Sequence, residues 1–350
     1  MGITKPLSQL SPGQRIGAYT IQRLIARGRR AEIYQATRTG APDTYAVKVY
    51  LPGVIRGPAH AAQFTAEAAR LAAFVHPHVA RIVDYGCETG SELCYLVLEH
   101  VEGSTLRDSI AAHPSGYPRD ELWRVFEPLA DALASAHERG IVHGSLRPDH
   151  VLLGPHSRPA LIDFCIPCLG DDTPGSHTAP PGVVAYWAPE QAALLAPSPA
   201  MDVYALGIML YELAVGDVPF KAPTRDALVA QHLYEMPIPP GQRQPGLDPR
   251  IERAILIALR KNPAERFLSV REMLAILRSA DADDYATLTL DKRLAREVRR
   301  RSHASALRDA RDEAPAPESA PRPAPPHRTI RWWWIAAALA LSVLAAAVLF

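Results

Sequence analysis

Cysteine is scarce, with four in 350 residues. So few cannot form a disulfide framework, and a reducing compartment is expected. Charge of one sign is not in excess: 38 Lys and Arg stand against 37 Asp and Glu, a formal net charge of +1. That balance supplies no global field for nucleic acid, so no nucleic-acid partner is expected. The opening segment, MGITKPLSQLSPGQ, lacks an apolar run, and no signal peptide is expected there. It also lacks the Ser or Thr at its sixth position that N-myristoylation uses. What is abundant is apolar material, 48% of the chain, enough for a sizeable core in a large two-lobed domain or two small ones plus a tail.

Residues 1–14 form an N-terminal tail. From residue 15 to about 99 the pattern is mostly strands: AYTIQRLIA and AEIYQATRT flank a turn-like RGRR, and TYAVKVYL follows. A helical stretch, AAQFTAEAARLAAFV, is stopped by HPHV. Two further strands, RIVDYGCETG and ELCYLVLEHV, surround a Gly-containing turn. From about residue 100 to 279 helices dominate, among them ELWRVFEPLADALASAHERG and MDVYALGIMLYELAVG. A small β-rich lobe followed by a helical lobe is an α+β bilobal plan. Residues 280–327 are first Arg-rich (Arg296, Arg299, Arg300 and Arg301) and then Pro/Ala-rich, which suits a semi-rigid spacer.

The last segment, 328–350, ends in RWWWIAAALALSVLAAAVLF, without a charge after Arg331. As a helix from Trp332 it would span about 28 Å, close to a bilayer's hydrocarbon core. A C-terminal transmembrane helix is therefore expected, with its three tryptophans at the interface. The flanking Arg328 and Arg331 would keep the rest on the cytoplasmic side of the inner membrane. Small residues four apart, such as Ala336 and Ala340, would let two such helices pack as a homodimer.

Several ordered motifs carry a resemblance. Tyr45-Ala46-Val47-Lys48 sits on a strand, and Glu67 lies on the helix that follows. Leu96 to Val101 reads LVLEHV, Asp163-Phe164 lies in LIDFC, and Ala188-Pro189-Glu190 follows. Asp202 opens a long apolar helix, and Arg266 lies in KNPAERF. Residues 15–279 thereby resemble the eukaryotic-like Ser/Thr protein kinases, the membrane-anchored bacterial ones above all. The resemblance implies a bilobal protein-kinase-like fold, an N-lobe of 15–99 and a C-lobe of 100–279. It implies a nucleotide site made by Gly28, Ala46, Lys48, Glu67, Glu99, Val101 and Asp163, with Lys48 and Glu67 ion-paired, Glu99 and Val101 in the hinge, and Asp163 on Mg²⁺ or Mn²⁺. Glu190, Arg266 and Asp202 would be structural, the first two as a buried pair.

The resemblance breaks where chemistry is done. The family's Gly-x-Gly-x-x-Gly loop is Ala26-Arg27-Gly28-Arg29-Arg30-Ala31, so backbone N–H groups lose their close approach to phosphates and three arginines stand beside the site instead. The catalytic loop is His143-Gly144-Ser145-Leu146-Arg147-Pro148-Asp149-His150. Ser145 stands where the family has its catalytic aspartate; losing a general base costs roughly 10²–10⁴-fold. Arg147 replaces the catalytic lysine with a planar fork. His150 replaces the asparagine that holds a second metal, and imidazole prefers softer ions than Mg²⁺. Gly144 replaces an arginine that reads a phosphorylated activation loop, Cys165 replaces the glycine after Asp163-Phe164, and Val183 replaces a threonine. Asp149 is expected to face solvent, and His143 to be committed to backbone hydrogen bonds.

Cys165 and Cys168 form a CxxC without a second half, and read as unrelated; Cys87 and Cys94 read as small apolar residues. Thr173, Ser176 and Thr178 offer hydroxyls to a partner kinase. The combined expectation is a membrane-anchored pseudokinase that binds ATP weakly, with Mg²⁺ or Mn²⁺. It would regulate or scaffold a protein partner: a kinase, a phosphatase or a phosphopeptide-binding protein. The alternatives are a slow but active ATP-dependent Ser/Thr kinase, and a docking module without nucleotide.

Overall fold

A computed structural model describes residues 10–40, 43–88, 93–166, 179–193 and 195–279. All lie in the first of two units into which the chain divides, Met1–Tyr285. Its first layer is a six-stranded antiparallel sheet of β1 (Arg15–Ile16), β2 (Tyr19–Arg27), β3 (Ala31–Arg38), β4 (Thr44–Tyr50), β5 (Ile82–Cys87) and β6 (Cys94–Glu99), in the order β1-β2-β3-β4-β6-β5. Alternation along β4 sorts its side chains. Val47 and Val49 enter one core with Ile21, Tyr34 and Val97, whereas Tyr50 enters a second core with Phe64. Lys48 shares the face of Tyr50 by the two-residue period of a strand.

Helix α1 (Gly57–Ala72) covers that second face. Pro58 suits its first turn, and Phe64, Ala68 and Leu71 make a buried stripe at four- and three-residue spacing. A small sheet of β7 (Ser104–Thr105), β8 (Val151–Leu153) and β9 (Pro159–Leu161) opens the helical part. Helix α2 (Leu106–Ala111) starts on a capping box between Thr105 and Asp108. Helix α3 (Arg119–Glu138) is amphipathic. Two single turns follow, α4 (Pro181–Val184) and α5 (Pro189–Ala192).

Helix α6 (Pro199–Val215) is buried from Met201 to Ala214 on every side. An all-round apolar helix of this kind forms the centre of a core. It stops at Gly216, at φ +84°, where an added Cβ would come within 2.3 Å of Pro114 O. Helices α7 (Arg225–Tyr234), α8 (Pro240–Arg243), α9 (Pro249–Ala258) and α10 (Val270–Arg278) complete the lobe. Helix α10 places Met273, Leu274 and Leu277 in the core, while Arg271 reaches Asp131 and Glu138 of α3.

Two expectations are corrected. The fold class stands as bilobal but not as membrane-spanning: no helix among the described residues is long and apolar enough to cross a membrane. The segment 328–350 lies outside the described residues, as do 280–327, Cys168, Thr173, Ser176 and Thr178. Cys87 and Cys94 are not merely small apolar fillers, because they form a disulfide. The reason is register: they are directly opposite in the β5–β6 pair, with Cα atoms 3.9 Å apart.

Candidate functional site

The helical lobe first fixes the loop 143–150. Asp202, at the start of α6, is 1% exposed and accepts from the backbone N–H of His143 (2.7 Å) and of Gly144 (2.8 Å), and from His137 Nε2 (2.8 Å). His143 Nε2 donates to Ile162 O at 3.0 Å, and burial pushes its ring toward the neutral form. Gly144 sits at φ +72°, where a side chain is strained, and an added Cβ would lie 3.1 Å from Cys165 Cβ. The glycine gained at 144 thus leaves room for the cysteine at 165. Below the loop, Arg266 grips Glu190 through two hydrogen bonds of 2.6 and 2.7 Å. This pair is nearly sealed, with side-chain exposures of 0% and 7%. Arg266 also donates to the carbonyls of Arg260, Ala200 and Lys261.

Lys48, Asp163, Ser145 and His150 converge on one spot. Lys48 Nζ meets Asp163 Oδ1 at 2.9 Å. Asp163 has φ +60°, a left-handed backbone unusual for a residue with a side chain. Burial opposes its ionisation, but the Lys48 ammonium outweighs that and holds the carboxyl well below the usual carboxylate range. Ser145 Oγ donates to the main-chain oxygen of Asp163 at 3.0 Å. His150 Nδ1 donates to the main-chain oxygen of Ser145 at 2.8 Å, and its Nε2 lies 3.8 Å from Asp163 Oδ2. Burial lowers the His150 pKa to about 3, so the ring is neutral at ordinary pH. The residues that depart from the family's pattern therefore satisfy one another. Phe164 packs its ring against His143 (4.6 Å between centroids) and Phe74 (6.1 Å). Behind Lys48 a cavity of about 30 Å³, enough to hold water, lies among Tyr50, Leu71, Phe74 and Phe164.

The expected Lys48–Glu67 pair is not formed. Glu67 instead pairs with Arg70 at 3.1 Å, one turn along α1, and Arg70 also donates to Gly140 O. The short i,i+3 contact on the helix surface competes for the carboxylate. Gly28 lies at the β2–β3 tip, where its N–H donates to Ala31 O. Arg27 is turned to Glu32 at 2.9 Å, a carboxylate that also accepts from Tyr34 OH. Ala46 pairs with Leu98 across β4 and β6. Glu99 ends β6 with its N–H on Arg81 O, and Val101 follows it in the connection between the lobes. Asp149 is half exposed, 3.7 Å from both Arg107 and Arg147.

One cluster has no signal in the motifs. Arg107 of α2 donates to Glu212 of α6 at 2.6 Å and to Tyr186 OH, which donates to the second Glu212 oxygen. The trio forms the floor of a groove of about 440 Å³ that also includes Arg147, Asp149, Val183 and Lys221. Nothing in the spacing of residues 107, 186 and 212 links them, because three separate elements bring them together.

A β-rich lobe carrying Lys48, a helical lobe carrying the 143–150 loop and Asp163 between them define the protein-kinase class of fold. Residues 19–277 match the protein kinase domain family, and the chain belongs to that family. The chain is similar to the serine/threonine-protein kinase PknB of Mycobacterium leprae (33% identical over 264 residues, 74% of this chain and 42% of that protein). It is also similar to PrkC of Bacillus subtilis (32% over 275 residues, 77% and 42%). The crystal structure of the Mycobacterium tuberculosis PknI kinase domain superposes with a TM-score of 0.61 at 26% identity, covering 77% of this chain and 98% of that one. The chain spans about two fifths of the length of the PknB and PrkC relatives. Residues 19–277 are a protein kinase domain, similar to those of the bacterial serine/threonine-protein kinases named above.

Proposed function

We propose that the chain is a pseudokinase, which binds nucleotide weakly and acts by binding a protein partner. The observation that carries this reading is the chemistry at position 145. Ser145 offers a hydroxyl, already donated to Asp163 O, where an acceptor alcohol needs a carboxylate to orient it and take its proton. Asp149 does not replace it, being held between Arg107 and Arg147. Glu67, turned to Arg70, no longer fixes Lys48 from the helix side.

The donor set partly fits a metal-bound nucleotide. Asp163 would hold the metal and Lys48 the phosphates, whereas His150 does not suit a hard Mg²⁺ ion. A bound divalent ion would neutralise phosphate charge. Lys48 and Asp163, already 2.9 Å apart, would orient the nucleotide without moving a proton. The 440 Å³ groove, with cations and acids on its walls, suits a peptide segment of a partner.

The retained Lys48–Asp163 pair also supports a second reading, a slow Ser/Thr kinase, since positioning and charge dominate phosphoryl transfer. Label transfer from γ-³²P-ATP by the full chain separates the two, with Lys48→Met and Asp163→Ala as controls. No transfer above the controls is expected; transfer that needs both residues would establish the second reading. A thermal shift on adding ATP with Mg²⁺ or Mn²⁺, lost in Lys48→Met, is expected under either.

A further inference from the structure

We infer that the groove beside the 143–150 loop takes an extended peptide carrying a phosphorylated serine or threonine, with the phosphate on Arg147. This deepens the function proposed above and rests on it: a chain that transfers no phosphoryl group holds a partner that already carries one.

The charges that line the groove are unequally engaged. Glu212 accepts from Arg107 at 2.6 Å and from Tyr186 OH. Asp217 meets Lys221 at 2.7 Å and accepts from the N–H of Val218 at 2.8 Å. Arg107 and Lys221 are thereby committed to acids of the groove itself. Arg147 is not. Its Nε is sealed from solvent without a hydrogen-bond partner, and the Asp149 carboxylate stays 3.7 Å away, beyond hydrogen-bond range. A buried donor left unmet is costly unless a ligand supplies its acceptor. With Glu212 and Asp217 already bonded and one guanidinium uncommitted, the groove selects an anion. The planar fork matches phosphate oxygens two at a time.

Position 145 decides whether that anion stays. Arg147 is extended, at φ −166° and ψ 163°, and its neighbours Leu146 and Pro148 are buried. The two-residue period of extended chain puts Ser145 and Arg147 together on the other side, toward the cleft. A carboxylate at 145 would stand beside the phosphate and repel it, whereas the Ser145 hydroxyl carries no charge. Lys48 offsets the Asp163 carboxylate at 2.9 Å. Asp149 is the acid that a phosphate must displace from Arg147. The substitution that removes the base for an acceptor alcohol thus also removes the repulsion that would expel its phosphorylated form.

The walls of the groove suit a peptide rather than free phosphate. It encloses about 440 Å³, and Pro180, Val183 and Val218 give it an apolar side. A Cβ added at Gly182 would meet nothing within 4 Å, so the main chain lies open there. An isolated phosphate would leave that apolar side uncovered, whereas the residues flanking a phosphorylated side chain would cover it.

The test uses the full chain with ADP present, so that no γ-phosphate competes for Arg147. Fluorescence anisotropy follows a labelled peptide library with a fixed central phosphothreonine, and the same library with threonine there. Wild type is expected to bind the phosphorylated library more tightly by about tenfold or more. Arg147→Gln and Ser145→Asp should each erase the difference. Asp149→Asn, which removes the competitor for Arg147, should widen it severalfold. Arg124→Gln, on the exposed side of α3, should leave it unchanged. Thermal melting checks each variant; should either loop variant unfold, Asp149→Asn decides by widening the difference or failing to. Equal binding of the two libraries by wild type, or a difference that none of the three positions alters, would overturn the inference. So would calorimetric binding of inorganic phosphate as tight as that of the phosphorylated library, which would make free phosphate the ligand. Label transfer is measured separately. Transfer with the phosphopeptide preference intact would remove the pseudokinase reading alone, and equal binding without transfer would remove the phosphopeptide inference alone.

Discussion

The anchor under the helical lobe and the loop above it belong to one set of motifs, but they have been kept differently. Glu190, Arg266 and Asp202 match the family's residues, the first two bonded to each other and Asp202 to the backbone of His143 and Gly144. Ser145, Arg147, His150 and Gly144 do not match them, and Lys48 and Glu67 do without joining. Burial explains the contrast. An ion pair at 0% and 7% exposure cannot lose one member without stranding the other in a low dielectric. A carboxylate whose task is to meet a substrate faces the cleft, so a hydroxyl can replace it if the new atom finds a neighbour. Ser145 finds Asp163 O and His150 finds Ser145 O. Stability restrains the first region; only chemistry restrains the second.

The largest expected effect lies in the anchor. Glu190→Ala should destabilise the chain by about 3–5 kcal/mol, because Arg266 is left buried and uncompensated. Urea unfolding measures it, and a loss below about 1 kcal/mol would erase the contrast. Next comes the β5–β6 disulfide, away from both regions. Reduction, or Cys87→Ser, should cost about 2–3 kcal/mol and lower Tm by several degrees by freeing the unfolded chain. A Tm unchanged by reductant would mean that the opposed thiols are not bonded.

Acid should act on the loop and, separately, on helix α7 of the same lobe. Burial lowers His150 in the loop and His232 in the helical lobe to about 3 each. Both rings titrate near 6.5 when unfolded, so below that pH the unfolded state binds protons that the folded state refuses. Stability therefore falls as pH drops from about 6.5 toward 3, by about 2 kcal/mol per ring between pH 7 and 5. Unfolding at both pH values for His150→Asn should show one share removed and the His232 share intact. The smallest effect is expected at the position that decides the chemistry. Ser145→Ala should cost about 1 kcal/mol or less, one neutral hydrogen bond. A loss comparable to that of Glu190→Ala would show the loop to be as structural as the anchor.

Much of this was readable in the residues. Alternation in TYAVKVYL put Lys48 opposite Val47 and Val49, and the 3–4 spacing of Phe64, Ala68 and Leu71 fixed the buried face of α1. The apolar run after Asp202 marked the central helix. Other features depend on distance. Whether Glu67 reaches Lys48 or stays with Arg70 is a competition between a fold-wide approach and a helix-local pair, and sequence shows only the local partner. The left-handed backbone of Asp163 has only a weak residue-type signal: aspartate visits that conformation more readily than most residues, but glycine is its usual marker. The Cys87–Cys94 bond was open to reading, since both strands and their turn were recognised and the two cysteines are equidistant from its centre. Inferring compartment from cysteine number obscured the register. Arg107, Tyr186 and Glu212 meet only through tertiary packing.

Helix α10 carries a practical lesson about where a shortened version can stop. Arg271 clasps Asp131 and Glu138, Arg278 clasps Glu127, and Arg250 donates to the Ser279 carbonyl. Removing the chain from residue 270 onward would strip three acids of α3 of their cations and uncover the seat of Met273, Leu274 and Leu277. A truncated protein that keeps its fold therefore extends at least through Ser279, whatever is trimmed beyond it.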